Sequence, residues 1–263
     1  MENLSTEAKT ALEIVLTAGK NLKPHFGKTN PDSKKTDSAA DVVTKLDIET
    51  EKYLFENLKK THPSIGFKGE ELGSIDIHTG KFWLVDPIDG TANFVRGVRS
   101  CSTMLALIEN GQVKIGIIYD FVNDDMYFSE KGKGSYLNNK QIFVSDRNIE
   151  DALISVECNV NDDVLKQFLA LNRRYEVVSA GYPAGTEFAM VACGQLEGRI
   201  CLNPYGKDYD FAAGSLLVQE AGGIVANLGK NTYDYTETNL VAVSKKLFES
   251  LTLGEDPIFP IVV

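Results

Sequence analysis

The chain has 263 residues, 43% of them hydrophobic, enough to bury a full core as one large domain or two closely joined halves. That composition excludes a disordered or fibrous chain, and a formal net charge of −10 disfavours nucleic acid and anionic membranes as partners. The amino terminus, MENLSTEAKT, has no basic stretch followed by an apolar one, and no later run reaches the ~18 apolar residues that cross a bilayer, so a cytoplasmic protein is expected.

Leu4, Ala8, Ala11, Leu12, Val15, Ala18, Gly19 and Leu22 recur at three- and four-residue intervals and predict an opening amphipathic helix that Pro24 ends. The polar segment that follows, residues 30–44, reads as a mobile loop. A second helix is predicted over 47–60, with Leu46, Thr50, Leu54 and Leu58 on one face. From Ser64 the pattern shortens to strands: SIGFK, KFWLV, then CSTMLALIENGQVKIGIIYD, in which Asn110-Gly111 marks a hairpin, then DMYFS and a strand around 134–136. Strands in series after two helices favour an antiparallel sheet covered by helices. After Ser145 strand and helix alternate: strands at ALISVE, YEVVSA, GRICL and NLVAVS, helices at DDVLKQFLALN, over 186–193, and at FAAGSLLVQEAGG. The change of pattern divides the chain into an N-terminal half, 1–145, and a C-terminal half, 146–263.

Cys101, Cys158, Cys193 and Cys201 are scattered without a CxxC pair and read as small hydrophobes. His25 and His62 adjoin prolines and His78 precedes Thr79-Gly80, settings that place all three in loops. Histidine or zinc chemistry is therefore not expected, which leaves carboxylates, hydroxyls and whatever carboxylates bring in. The stretch WLVDPIDGTANF runs an apolar strand into Asp86 and Asp89. Pro87 cannot extend a central strand and Gly90 permits unusual backbone angles, so a turn is expected that presents both carboxylates at the strand's end. Hard oxygen ligands suit Mg2+, and Gly-Thr-Ala-Asn can begin a helix whose free amides receive phosphate. Glu70 and Glu71 after SIGFK, and Asp208 and Asp210 at a helix start, supply more acid. Taken singly, each block also reads as a surface turn, solvated charge or a helix cap.

Together, GEE, DPIDGTANF and DYDFAAGSLLVQEAGG, preceded by ADVVTKLD, resemble the inositol monophosphatase family over essentially the whole chain. The resemblance implies an α+β, layered αβαβα sandwich, with an antiparallel sheet in the N-terminal half and a smaller mixed sheet in the C-terminal half. It implies Mg2+ as cofactor, two or three ions: Glu70, Asp86 and the Ile88 carbonyl for one, Asp86, Asp89 and Asp210 for a second, and Glu70 with Glu71 beside a third. Thr91, paired with Asp47, would activate the attacking water, and the amides of Gly90 and Thr91 would take phosphate oxygens. Lys35, or its neighbour Lys34, is the basic residue expected near the phosphate loop. Gly181, Tyr182 and Asn203 fall where the family contacts the leaving alcohol, and from Tyr182 onward and at Asn203 the chain departs from the family's pattern, so the substrate is a small phosphate ester, inositol monophosphate first, with NADP and fructose 1,6-bisphosphate beside it. The family also implies a homodimer and inhibition by Li+. Two other readings stand beside this one: a haloacid-dehalogenase-like phosphatase, suggested by Asp-Gly-Thr after an apolar strand, and a regulatory or assembly partner built on the same fold.

Overall fold

Ser5 opens the first helix by accepting a hydrogen bond from the Ala8 amide at 3.2 Å. Helix α1 (Thr6–Leu22) then buries Ala8, Ala11, Val15, Ala18 and Leu22, the predicted stripe. The structure is a computed structural model and describes residues 4–34, 42–178, 181–253 and 256–261. Pro24 ends the α-helix, although the chain adds one 3-10 turn over Lys23–His25. The 30–44 segment, expected to be loop throughout, pairs near its ends: β1 (Ser33–Lys34) runs antiparallel to β2 (Val42–Val43). Helix α2 (Lys45–Thr61) starts earlier than predicted because Thr44 and Asp47 cap it reciprocally.

Next come β3 (Gly66–Gly69), β4 (Gly73–Ile75), β5 (Lys81–Asp89), α3 (Thr91–Arg96), β6 (Ser102–Glu109), β7 (Gln112–Asp120), β8 (Asp125–Glu130), β9 (Ser135–Leu137) and β10 (Lys140–Ile142). The eight form one sheet in the order β10-β9-β8-β7-β6-β5-β3-β4. Asn110 and Gly111 both take positive φ, 51° and 74°, in the turn between β6 and β7, as the hairpin requires. The sheet departs from the expected antiparallel pattern at one place, since β3 and β5 are parallel. Strand β4, which the periodicity does not reveal, folds back along the outer edge of β3, and the chain then returns to lay β5 on the inner edge.

The C-terminal half supplies β11 (Leu153–Cys158), α4 (Asp162–Arg174), β12 (Glu176–Val178), α5 (Ala184–Ala192), β13 (Gly198–Leu202), α6 (Asp208–Glu220), β14 (Ile224–Asn227), β15 (Leu240–Val243) and α7 (Lys245–Thr252). Its sheet, β12-β11-β13-β15-β14, is parallel through β13 and antiparallel beyond, the mixed sheet expected. Three cores separate five layers. Leucines of α1 and α2 pack on Trp83, Leu105 and Ile117 of the large sheet. The opposite face, with Leu84, Met104 and Ile118, packs on Phe188 of α5 and Phe211 and Leu216 of α6, which also cover Cys201 and Leu240 of the small sheet. Ile154, Ile200 and Val241 face Leu171 of α4 and Leu247 of α7. The arrangement is an αβαβα sandwich, and burying each large apolar side chain contributes ~1.5–3 kcal/mol.

Candidate active site

Strand β5 does not turn at Pro87. It pairs with β6 through Asp86↔Met104 and Asp89↔Ser102, so three steps along β5 oppose two along β6. The extra residue is a bulge, the place in a central strand where proline, lacking an N–H, is tolerated. Residues three apart on a regular strand face opposite sides. The bulge cancels that alternation and turns Asp86 and Asp89 to the same side, where Asp210 in the first turn of α6 meets them. One carboxylate oxygen from each of the three lies within 4.8 Å of the others.

Each carboxylate is aimed by donors. Asp86 Oδ1 accepts the Ile88 amide at 3.0 Å. Asp89 Oδ2 accepts the Gly185 amide at 2.8 Å and Ser102 Oγ at 3.2 Å. Asp210 Oδ2 accepts the Lys207 amide at 2.5 Å. Asp86 and Asp89 are buried and Asp210 is half-buried. Burial, then the charges of Glu70, Asp210 and Asp89, raises the Asp86 carboxyl well above its ordinary range. Burial likewise lifts Asp210 to about 8. Asp89 is lifted by burial to about 6, and the Gly185 amide, Ser102 and the Arg199 charge hold it down there. Glu70 thus stands close enough to Asp86 to repel it and belongs to the same acidic centre. Packed oxygens that repel one another this strongly stay ionised when a hard cation lies among them, so the donor set fits Mg2+.

Beside this cluster Thr91 Oγ1 donates to Asp47 Oδ1 at 2.8 Å and to the Ile88 carbonyl at 2.9 Å. Asp47 Oδ2 is taken up by the Thr44 amide and hydroxyl, at 2.8 and 2.7 Å. Burial raises Asp47 to about 6 against the hydrogen bonds from Thr44 and Thr91. Gly90, φ 83°, precedes α3, and a Cβ there would stand 2.4 Å from Pro183 Cγ. The Glu71 amide and the Leu72 amide donate to the two oxygens of buried Glu51, at 2.9 and 2.7 Å. Glu51 thus holds the GEEL loop, and Asp47 and Glu51 stand one helical turn apart on α2. Asp47 was expected from the family resemblance; a carboxylate beside the apolar helical stripe was the sequence signal that could have revealed Glu51.

Gly181, φ 60°, and Tyr182 are exposed on the approach to α5. Asn203, φ 50°, donates its side chain to the Asn159 carbonyl at 3.1 Å, and its amide donates to Asn239 Oδ1 at 2.5 Å, so it is tied to neighbouring loops rather than to the acidic cluster. Lys35 lies outside the described residues, as does the side chain of Lys34. Lys68, not anticipated, pairs with Asp208 at 2.5 Å and joins β3 to the start of α6. Nor does the sequence reading single out Arg199, although an arginine inside the apolar strand GRICL was a visible anomaly.

Residues 3–254 match the inositol monophosphatase family. The chain belongs to that family. The inositol-1-monophosphatase of Bacillus subtilis is 32% identical over 221 residues, covering 80% of this chain and 83% of the relative. The fructose-1,6-bisphosphatase/inositol-1-monophosphatase of Thermotoga maritima is 28% identical over 257 residues, covering 96% and 94%. The crystal structure of extragenic suppressor protein suhB from Bartonella henselae has a TM-score of 0.83 at 29% identity, over 92% of this chain and 95% of that one. Family membership and the three-aspartate cluster make this a metal-binding phosphatase fold with the acidic centre of a metal-dependent hydrolase, and they set aside the haloacid-dehalogenase-like reading. Among the described residues no helix is long and apolar enough to cross a membrane.

Proposed function

We propose that the chain is a Mg2+-dependent phosphomonoesterase of small soluble phosphate esters, inositol monophosphate first, with NADP and fructose 1,6-bisphosphate as the competing substrates. The observation that carries this reading is the approach of Asp86, Asp89 and Asp210 to within 4.8 Å of one another, beside the hydrogen-bonded pair Thr91 and Asp47. Those aspartates, with Glu70 and the Ile88 carbonyl, would hold two or three ions, with Glu71 beside the weakest. Bound Mg2+ supplies charge that neutralises phosphate oxygens and acidifies water.

The protein's own groups position the reactants and move the proton. Thr91 Oγ1 takes a proton from the attacking water as it passes its own to Asp47 Oδ1. Asp47 suits that task because Thr44 fixes its other oxygen and burial brings its carboxyl to about 6, within reach of neutral pH. The amides of Gly90 and Thr91 receive phosphate oxygens, with Lys35 as an added cation, while Gly181, Tyr182 and the loop that carries Asn203 would flank the leaving alcohol. The double name of the Thermotoga relative supports keeping a sugar bisphosphate beside inositol monophosphate. We place the protein in the cytoplasm as a Li+-sensitive homodimer.

The test is Mg2+-dependent phosphate release, as kcat/KM, from inositol 1-phosphate, fructose 1,6-bisphosphate, NADP+ and 3′-phosphoadenosine 5′-phosphate, with Asp89→Asn alongside. A preference that the variant abolishes supports the reading. Release from none of them overturns it in favour of the regulatory role, which the suppressor-protein name of the Bartonella structure keeps in view and which Asp89→Asn would leave intact.

A further inference from the structure

Arg199 lies in the middle of β13, 1% exposed, opposite Ser155 of β11 and Ala242 of β15. A guanidinium so placed is stable where carboxylates meet its donors. Nη1 binds Glu187 of α5 and Nη2 binds Glu157 of β11. The rings of Phe188 and Phe211 lie 5.1 and 5.5 Å from Cζ.

Both glutamates lead on to a metal-site aspartate. Glu187, whose Oε2 also accepts Ser155 Oγ at 2.9 Å, stands two residues after Gly185, whose amide donates to Asp89 Oδ2 at 2.8 Å. Glu157 Oε1 accepts the amides of Tyr205 and Gly206 at 2.9 and 3.1 Å, and the next amide, that of Lys207, donates to Asp210 Oδ2 at 2.5 Å. Two straps therefore run from one guanidinium to one oxygen of each aspartate. Two glutamates against one arginine leave the group net negative, so it does not repel the ion it helps to place.

We propose that Arg199 is a positioning residue of the metal centre: through Glu187 and α5 on one side, and Glu157 and the 205–207 segment on the other, it sets Asp89 against Asp210 and thereby the affinity for Mg2+. This rests on the reading of the acidic cluster as a Mg2+ centre. A planar fork reaches two carboxylates at once, and an ammonium does not hold that geometry. Arg199→Lys consequently keeps the charge and loses the placement.

The test is calorimetric titration of Mg2+ alone into the wild type, Arg199→Lys and Glu157→Gln, with thermal unfolding of each in EDTA. Partners that orient metal ligands typically cost about 10- to 100-fold in metal affinity when altered, and that weakening is expected for Arg199→Lys, with Glu157→Gln moving the same way. A purely structural role would lower the unfolding temperature and leave the Mg2+ affinity of the folded protein unchanged, which overturns the proposal. Should Arg199→Lys fail to fold, Glu157→Gln decides it alone. Failure of the wild type to bind Mg2+ removes the metal reading and this proposal together, whereas normal wild-type binding with unaltered variants removes this proposal alone.

Discussion

Asp47→Asn keeps the size of the side chain while removing one acceptor and one charge. In the wild type Oδ2 receives two hydrogen bonds from Thr44, at 2.8 and 2.7 Å, and Oδ1 receives Thr91 Oγ1 at 2.8 Å. Asparagine has one carbonyl oxygen, which the two Thr44 donors claim. Its amide then faces Thr91 donor to donor, and Thr91 is left with the Ile88 carbonyl. The proton path from Thr91 ends there. A positioned general base contributes ~10²–10⁴-fold, so kcat should fall by that factor. The Thr44 cap persists, but Asp47 is buried and the Asn amide is left without an acceptor, so the variant should lose ~1–3 kcal/mol, a fall in Tm of roughly 2–10 °C that leaves it folded at assay temperature. The wild-type pH profile should show an acid limb at or below about 6, because burial raises Asp47 to about 6 and bound cations draw it down; the variant should lack that limb. The assay is phosphate release at saturating Mg2+, with Mg2+ binding measured in parallel. A fall in kcat well short of ~10²-fold with intact Mg2+ binding would refute the assignment of Asp47 and Thr91 to proton transfer.

Gly185→Ala would place a Cβ 2.6 Å from Ser102 Oγ and 2.8 Å from Asp89 Oδ2. Overpacking of this kind costs ~1–3 kcal/mol, so Tm should drop by roughly 2–10 °C and Mg2+ affinity should weaken as Asp89 is pushed aside; calorimetry and thermal unfolding check both. Saturating Mg2+ at 100 times its Kd should raise stability by about 2.7 kcal/mol, and excess EDTA should abolish both this increment and phosphate release. Glu197, 1% exposed, accepts the Leu153 amide at 2.7 Å and Arg147 Nη1 at 2.9 Å. Burial opposes its ionisation, but hydrogen bonds from Ser145, Leu153 and Arg147 hold it below its ordinary 4.5. Since the folded value is the lower, the stability it contributes is complete above pH 4.5 and is lost as pH falls through the folded value. Glu197→Gln should cost ~1–3 kcal/mol at neutral pH and flatten that acid limb in denaturant titrations.

The elements with a clear period were legible. The α1 stripe, the Asn110-Gly111 hairpin and the alternation after Ser145 each come from local patterns that burial then rewards. Strand β4 was not, because its three residues are exposed or half-exposed and carry no alternation. The turn expected at Pro87 is a bulge instead: proline excludes a regular central strand, and the sequence alone does not say whether the chain turns away or slips by one residue. Among site residues, those in short acidic blocks stood out. Glu51, Ser102, Gly185 and Arg199 did not, since each acts on a partner at least 12 positions away in the chain, and a single sequence does not encode which distant groups meet.

The three aspartates of the acidic centre rest on one strand and one helix, while the walls around them are loops, and this decides where the selectivity of the site can vary. Asp86 and Asp89 belong to a strand buried on both faces, and Asp210 to a helix whose Phe211 and Leu216 are locked against the same sheet. The Lys68–Asp208 pair ties that helix to β3 at 2.5 Å. Moving any of the three aspartates therefore means disturbing a core, at several kcal/mol. Tyr182 and Asn203 are exposed, and Asn203 is held by hydrogen bonds to the neighbouring loop residues Asn159 and Asn239. A change there costs little stability. Substrate preference can thus drift at these side chains while the metal centre stays put, so exchanging Tyr182 or Asn203 should alter KM between inositol and nucleotide phosphates before it alters the dependence on Mg2+, whereas the 205–207 strap is coupled to Asp210.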